Sequence, residues 1–233
     1  FIDKLSTIPG GVIVTLTADH GGSDFPERSS VEGYPAAGRV DRALMPRVND
    51  ALKARFNLDA NPLVSSAGGL IVVDADRKSL AEPLRSQVMA AAVELLNAEP
   101  QVALAVSRDE LLAEPVPASS NPEELSIRQR LRLSAVAGRS PDIMRSYQPG
   151  LTGAGRIGSA ISSHGSPWDY DRRVPIIFWW PGANGQERFL PMRTIDIAPT
   201  LAHLIGVKPT DAVDGRCMDL PQFATGRCET PKP

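Results

Sequence analysis

The chain has 233 residues, 42% hydrophobic and 22% charged, and its formal net charge is -2 at pH 7. This composition is typical of a folded globular protein and excludes disorder of the whole chain. The small net charge gives no broad basic field, so neither a nucleic acid nor an anionic membrane surface is expected as a partner. No apolar run approaches the roughly 18 to 20 residues that cross a bilayer, so no membrane span is expected.

The first half of the chain alternates strand and helix patterns. The nearly continuous apolar run at residues 11–17 predicts a strand buried on both faces. A helix is predicted to end near Asn57, because apolar residues recur every four positions, at Val40, Leu44, Val48, Leu52 and Phe56. A strand at 70–73, a helix at 80–97 and a strand at 102–106 follow, and this order favours parallel pairing.

The second half continues the alternation. A Pro- and Ser-rich loop at 113–122 precedes a predicted helix at 123–136, and residues 143–147 and 174–180 predict the last two strands. Residues 194–205 predict a helix with Pro199 in its first turn, where a missing N–H costs least. We therefore expect one α/β unit, with a largely parallel central sheet flanked by helices.

Residues 207–233 are expected to form an irregular tail, which contains Cys217 and Cys228. Their spacing allows a disulfide that closes a small loop, and two unpaired thiols are the alternative. A bridge would indicate an oxidising compartment. A zinc ribbon is not expected, because the tail has only two thiols and no nearby His in the sequence.

The first candidate site follows the first predicted strand, at residues 17–22 (Thr-Ala-Asp-His-Gly-Gly). The carboxyl ends of strands are where open α/β sheets place their functional sites. An ionised Asp19 and a neutral His20 are competent zinc ligands, and the two glycines permit a sharp turn that lets side chains converge. A purely structural Asp-His turn is the alternative.

The second candidate is His164, in the loop at residues 162–167 (Ser-Ser-His-Gly-Ser-Pro). Asp169, Tyr170 and Asp171 follow closely and are suited to orienting this His or its loop. The alternatives are a solvated or hydrogen-bonded His, turn-forming acids and a packed Tyr.

Three segments together resemble the alkaline phosphatase superfamily: residues 17–22, residues 164–179 (His-Gly-Ser-Pro-Trp-Asp-Tyr-Asp-Arg-Arg-Val-Pro-Ile-Ile-Phe-Trp) and residues 194–202 (Thr-Ile-Asp-Ile-Ala-Pro-Thr-Leu-Ala). The resemblance is closest to single-subunit bacterial alkaline phosphatases related to type I phosphodiesterases and nucleotide pyrophosphatases. It implies an alkaline-phosphatase-like fold, with residues 1–233 as the C-terminal part of a catalytic domain.

By this resemblance, Asp19 and His20 bind the zinc ion that activates the nucleophile, and His164 binds the other zinc ion. Two zinc ions are expected in the complete enzyme, which would pass the phosphoryl group to a Thr or Ser and then to water. In such enzymes the nucleophile and the other ligands precede the Asp-His pair. Only 18 residues precede Asp19 in this sequence, and among them Ser6 and Thr7 are poor candidates for the nucleophile. No catalytic residue is therefore expected in this chain, and a missing N-terminal part is the expected partner.

The implied function is zinc-dependent hydrolysis of phosphate monoesters through a phosphoenzyme, in a periplasmic or secreted full-length protein. A phosphodiesterase or nucleotide pyrophosphatase is the nearest alternative, and a sulfatase is less expected. A hypothesis of another class is a non-catalytic fragment that lacks its nucleophile.

Other patterns carry weaker functional signals. Residues 153–158 satisfy GxGxxG, but no convincing helix and no suitably spaced acidic residue follow, as dinucleotide binding requires. His203 is expected to be structural, and Asp196 is expected to be a helix cap instead of a ligand. Arg172 and Arg173 are expected to be solvated or salt-bridged.

Overall fold

A computed structural model describes residues 1–118, 121–153, 162–220 and 228. Contacts divide the chain into two compact units. The described part of the first unit contains residues 1–19, 121–124, 174–220 and 228, and that of the second contains residues 20–118, 125–153 and 162–173. The assignment of the whole chain to one catalytic domain stays a prediction.

The described residues form eight α-helices, eight strands and two 3₁₀ turns. The helices are α1 Ile2–Leu5, α2 Pro26–Val31, α3 Leu44–Phe56, α4 Leu84–Ala98, α5 Arg108–Ala113, α6 Ile127–Ser134, α7 Asp169–Arg172 and α8 Ile197–Leu204. The strands are β1 Val14–Leu16, β2 Gly38–Arg39, β3 Leu63–Ser66, β4 Gly69–Val72, β5 Val102–Ser107, β6 Ile143–Tyr147, β7 Leu151–Thr152 and β8 Ile177–Trp179. The 3₁₀ turns are Pro122–Glu124 and Thr194–Asp196.

The main sheet of the second unit has four strands in the order β3-β4-β6-β5. Every pairing in it is antiparallel, and among the described residues only the short pair β2 and β7 is parallel. The expectation of a largely parallel sheet is therefore not confirmed. Strand β6 lies between β4 and β5 and is antiparallel to both. The two strands of the predicted β-α-β segment, β4 and β5, therefore run in the same direction but do not pair with each other.

Helices cover both faces of this sheet, because successive side chains of a strand point to opposite sides. On β6, Ile143 packs with side chains of α3 and α4, whereas its neighbour Met144 packs in a second cluster with side chains of α5 and α6. On α3, Leu44, Val48 and Leu52 are at most 2% exposed, which confirms the stripe predicted from the four-residue spacing. This double-sided packing makes the sheet a firm support for the loops at its ends.

Polar side chains fix the ends of the strands. Asp142, just before β6, accepts a hydrogen bond from the Val72 amide at 2.9 Å and one from Arg85 at 2.5 Å. Asn49 on α3 accepts from the Leu63 amide at 2.9 Å. These bonds satisfy backbone amides at the ends of strands and tie the strands to the helices.

In the first unit, β1 pairs antiparallel with β8. The predicted burial of this strand on both faces is wrong, since Leu16 at its end is 60% exposed. The physical reason is that the described residues give β1 a single neighbouring strand. Residues 207–220 form neither helix nor strand, and Cys217 is joined to Cys228 by a disulfide bond. None of the described helices is both long and apolar enough to cross a membrane.

Candidate functional site

Two loops of the second unit carry the histidines found from the sequence. The His20 loop comprises residues 20–23, and the His164 loop comprises residues 162–171. Three consecutive amides of the first loop donate to carbonyl groups of the second: Gly21 to Asp171 at 2.8 Å, Gly22 to Tyr170 at 3.0 Å and Ser23 to Ser163 at 2.8 Å. This run of bonds holds the two loops in one register.

Side chains add further bonds between and within the loops. The Ser23 hydroxyl donates to the Ser163 carbonyl at 2.9 Å and accepts from the Ser163 amide at 3.0 Å. Asp171 is buried, and its Oδ2 accepts from the Ser166 amide at 2.7 Å. The bonds of Ser163 and Ser166 flank His164, so its backbone is held on both sides. Asp171 therefore orients the loop, which is the role that the sequence suggested.

Gly21 is required where the loops touch. A Cβ atom placed there would lie 2.1 Å from the carbonyl oxygen of Tyr170, which is shorter than any normal contact. The second glycine of the pair, Gly22, has more room, because its Cβ would meet nothing closer than the Ser163 carbonyl oxygen at 3.9 Å. Close backbone approach therefore explains the first glycine of the motif.

The two loops bring His20 and His164 together. Their rings are stacked, with centroids 3.9 Å apart and planes inclined by 6°. Nδ1 of His20 lies 2.6 Å from the Gly21 carbonyl oxygen, so this nitrogen carries the proton in the neutral ring and the lone pair lies on Nε2. Both side chains are exposed. A hydrogen bond of this kind commonly fixes the tautomer of a metal-binding imidazole.

The stacked geometry limits how these rings could hold metal ions. The lone pair of an imidazole nitrogen lies in the plane of its ring, so one ion cannot lie in two nearly parallel planes whose rings are 3.9 Å apart. Two ions separated by about 3.5–4 Å, the usual spacing of two-metal sites, suit this arrangement. In this arrangement each imidazole would therefore bind its own ion.

Asp19 is the last residue of the first segment of the first unit, and the next residue, His20, begins the second unit. Its side chain is exposed. The structure brings the two histidines together, whereas the participation of Asp19 as a further ligand stays a prediction.

A cavity of about 370 Å³ opens beside His164. Its walls include Ser23, Tyr147, Asp171 and Arg145. The Oδ1 atom of Asp171 is buried and has no hydrogen-bond partner among the described residues. A carboxylate oxygen without a partner is costly, whereas Oδ2 of the same carboxylate is satisfied by the Ser166 amide.

Arg145 on β6 is the site residue that the sequence did not reveal. Its Nη1 donates to the sulfur of Met45 at 2.9 Å, and its guanidinium lies 4.9 Å from the centre of the Tyr147 ring. Burial lowers the pKa of Arg145, although Tyr147 opposes this shift. No acidic side chain within the described ranges forms an ion pair with it. The only available signal was a charged residue among buried neighbours in a strand.

The remaining candidates have structural roles. Asp169 forms ion pairs with Arg172 at 3.0 Å and with Arg173 at 3.6 Å, so of the two expectations for these arginines, solvated or salt-bridged, the structure shows salt bridges. Burial raises the pKa of Asp169, but the surrounding arginines, which include Arg130, outweigh it and the net shift is downward. The expectation that Asp196 is a helix cap is met in part: its Oδ2 accepts from the Arg193 amide at 2.9 Å, as the third residue of a capping box at the 3₁₀ turn, but it forms no side-chain cap bond to α8. The GxGxxG segment at 153–158 lies outside the described residues, apart from its first glycine.

Comparisons with known proteins agree with the motifs. No family model matches the chain. It is 39% identical over 226 residues to alkaline phosphatase PhoK of Sphingomonas sp., covering 94% of this chain and 40% of that protein. It is 38% identical over 218 residues to alkaline phosphatase PhoD of Zymomonas mobilis subsp. mobilis, covering 93% of this chain and 38% of that protein.

The fold is also similar to a solved structure. The crystal structure of wild-type alkaline phosphatase PafA superimposes with a TM-score of 0.62 and 25% identity, covering 84% of this chain and 35% of that one. The chain thus spans 35% to 40% of the length of these relatives. It belongs to the alkaline phosphatase superfamily, with an alkaline-phosphatase-like α/β fold, and corresponds to one portion of such an enzyme.

Proposed function

We propose that this chain is the C-terminal part of a zinc-dependent enzyme that hydrolyses phosphate monoesters through a phosphoenzyme. The observation that carries the proposal is the stacked pair of His20 and His164, 3.9 Å apart on loops that are bonded to each other. The names of the relatives support phosphatase chemistry for the family. The largely parallel central sheet would belong to the complete enzyme.

In this proposal Asp19, His20 and His164 supply part of a site for two zinc ions. Imidazole nitrogen and carboxylate oxygen are suitable zinc ligands, and the parallel rings fit two ions better than one. Bound zinc would activate the nucleophile and stabilise negative charge on the phosphoryl group. The nucleophile and the remaining ligands would come from the part of the enzyme that precedes this chain.

Other residues of the site position these ligands and receive the substrate. The Gly21 carbonyl orients the His20 ring, and the bonds to Ser163 and Ser166 hold the backbone on both sides of the second histidine. Arg145 lines the same cavity as that histidine, and a partly desolvated guanidinium binds phosphate oxygens strongly. In the complete enzyme Arg145 would contact the anionic end of the substrate.

Two alternatives are separated by activity measurements. One is a phosphodiesterase or nucleotide pyrophosphatase, which would prefer diesters. The other is a non-catalytic fragment, which is favoured by the small share of each relative that the chain covers. We expect the isolated chain to show no turnover with added zinc. Turnover that Asp19→Ala abolishes would contradict the need for an upstream nucleophile.

The decisive experiment uses the longer gene product that contains these residues. After zinc removal and restoration, we expect monoester hydrolysis to exceed diester hydrolysis, and His164→Ala to lower kcat/KM by about a hundredfold or more. His203→Ala in the oxidised protein is the matched histidine control and should leave the rate unchanged. A preference for diesters would favour the first alternative, and an unchanged rate in His164→Ala would refute the proposed role of His164.

Two further measurements test finer parts of the proposal. Arg145→Met should weaken inhibition by inorganic phosphate about tenfold, and Arg145→Lys should restore part of it because a cation remains. We also propose a periplasmic or secreted location, supported by the disulfide of Cys217 and Cys228. Cell fractionation tests this location, and recovery of the protein with the cytosol would contradict it.

A further inference from the structure

The first unit contains a second group of side chains that can bind metal. A ring nitrogen of His203 and the sulfur atoms of Cys217 and Cys228 all lie within 4.8 Å of one another. Within the described ranges, this is the only set of three or more His, Cys, Asp or Glu ligand atoms that is so close. The sequence argued against a zinc ribbon because no histidine lies near the cysteines along the chain, and the fold supplies one from helix α8.

The group is held in place by the helix that carries the histidine. His203 lies in the last turn of α8. The amides on either side of Cys217 donate to the start of the same helix: Arg216 to Asp196 Oδ1 at 2.7 Å, and Met218 to Thr200 Oγ1 at 3.0 Å. Both acceptors are completely buried. These bonds do not involve the disulfide, so Cys217 would keep its position if the bridge opened.

Two further features support metal binding at this place: one holds the second cysteine, and the other favours a positive ion. The amide of Cys228 donates to Asp219 Oδ1 at 3.0 Å, which holds the second cysteine near the first by a bond that is independent of the sulfur atoms. The carboxyl end of a helix carries partial negative charge, and His203 lies at that end of α8. The electrostatic field of the helix therefore favours a positive ion beside His203.

We propose that reduction of the bridge between Cys217 and Cys228 creates a binding site for a divalent zinc-like ion, held by the two thiolates and His203. A dithiol reductant supplies two electrons and becomes a disulfide itself, the S–S bond of the protein breaks, and two protons pass to the cysteine sulfurs. Metal binding then releases these two protons to solvent. The bridge and the metal ion exclude each other, so the site exists only in the reduced chain.

The chemistry of the donors selects the class of ion. Two thiolates and one imidazole suit Zn²⁺, which takes sulfur at about 2.3 Å and nitrogen at about 2.0–2.1 Å. They do not suit Mg²⁺ or Ca²⁺, which prefer oxygen ligands. The site is thus distinct in its ligands from the pair of His20 and His164, which contains no sulfur.

Cobalt titration of the full chain tests the proposal, because Co²⁺ bound to thiolate gives a charge-transfer absorption that imidazole and carboxylate ligands do not give. A phosphine reductant, which is oxidised to the phosphine oxide with oxygen from water, replaces the dithiol because a dithiol would itself bind cobalt. We expect the absorption in the reduced wild-type chain, saturating at one thiolate-bound ion per chain, and none in the oxidised chain. The double variant Cys217→Ser, Cys228→Ser should show none under either condition.

Two histidine variants complete the test. His203→Ala should keep a thiolate absorption but weaken Co²⁺ binding in the reduced chain by about tenfold or more. His164→Ala should leave that absorption and its affinity unchanged. Absence of the absorption in the reduced wild-type chain, whether that chain is folded or unfolded, would overturn the proposal. Equal affinity of the wild type and His203→Ala would overturn the role of the histidine.

Discussion

Replacing Gly21 by Ala tests how the His20 loop is joined to the His164 loop. The added Cβ would lie 2.1 Å from the Tyr170 carbonyl oxygen, 3.1 Å from its carbonyl carbon and 3.3 Å from the Asp171 Cα. All three are backbone atoms, so no side-chain rotation can relieve the clash. The His164 loop must recede until the shortest of these distances, now 2.1 Å, exceeds about 3.0 Å.

The size of the expected stability loss follows from the hydrogen bonds that join the two loops near Gly21. Gly21 donates to Asp171 at 2.8 Å and Gly22 donates to Tyr170 at 3.0 Å. Each such bond contributes about 0.5–1.5 kcal/mol net, and overpacking typically costs about 1–3 kcal/mol. Because part of the strain is relieved when the bonds lengthen, we expect Gly21→Ala to lower the free energy of unfolding by about 2–4 kcal/mol.

Urea unfolding followed by circular dichroism measures this change. Gly22→Ala is the matched control, since its Cβ would meet only the Ser163 carbonyl oxygen, at 3.9 Å. The free energy of unfolding of this control should remain within about 0.5 kcal/mol of the wild-type value. Equal stability of the two variants would refute the argument that close approach of the loops requires the first glycine.

Asp142→Ala removes the acceptor of the Val72 amide and of Arg85. Urea unfolding should show that the free energy of unfolding falls by about 3 kcal/mol, and a fall below about 1 kcal/mol would contradict this expectation. Leu52→Ala should cost about 2–5 kcal/mol in the same assay, whereas Leu133→Ala, at a position 49% exposed, should change the value by less than about 0.5 kcal/mol. The pKa of Asp169 is lowered in the folded chain, so its ion pairs stabilise fully above the ordinary Asp pKa of about 4 and are lost as the pH falls through the lower folded value. The stability difference between wild type and Asp169→Asn should therefore be constant near neutral pH and vanish in strong acid, and a difference that persists in strong acid would contradict this sign.

Local sequence patterns predicted the three longest helices of the second unit, α3, α4 and α6, and three strands of its main sheet, β4, β5 and β6. The four-residue spacing identified α3, and Asn57 ends this helix in the left-handed conformation with φ 50°. Strand β6 has the predicted bounds, Ile143–Tyr147. Pairing was harder to predict, because the insertion of β6 between β4 and β5 depends on contacts between segments that are distant in sequence.

For the candidate site, as for the fold, the sequence identified local features but not how distant segments come together. Motif residues identified His20 and His164, but their stacking could not be predicted because they lie far apart along the chain. Arg145 could not be identified, because its place in a cavity depends on the cross-strand arrangement. The nearness of His203 to the cysteines was equally hidden, since it depends on how residues 207–220 fold back along α8.

Zinc binding by the oxidised chain tests the central claim most directly, because the bridge between the cysteines then excludes the thiolate site. Equilibrium dialysis should show that His20→Ala and His164→Ala each weaken Zn²⁺ binding by about tenfold or more, whereas His203→Ala leaves it unchanged. The same affinity and stoichiometry in all four proteins would contradict the claim that the stacked histidines form the metal site.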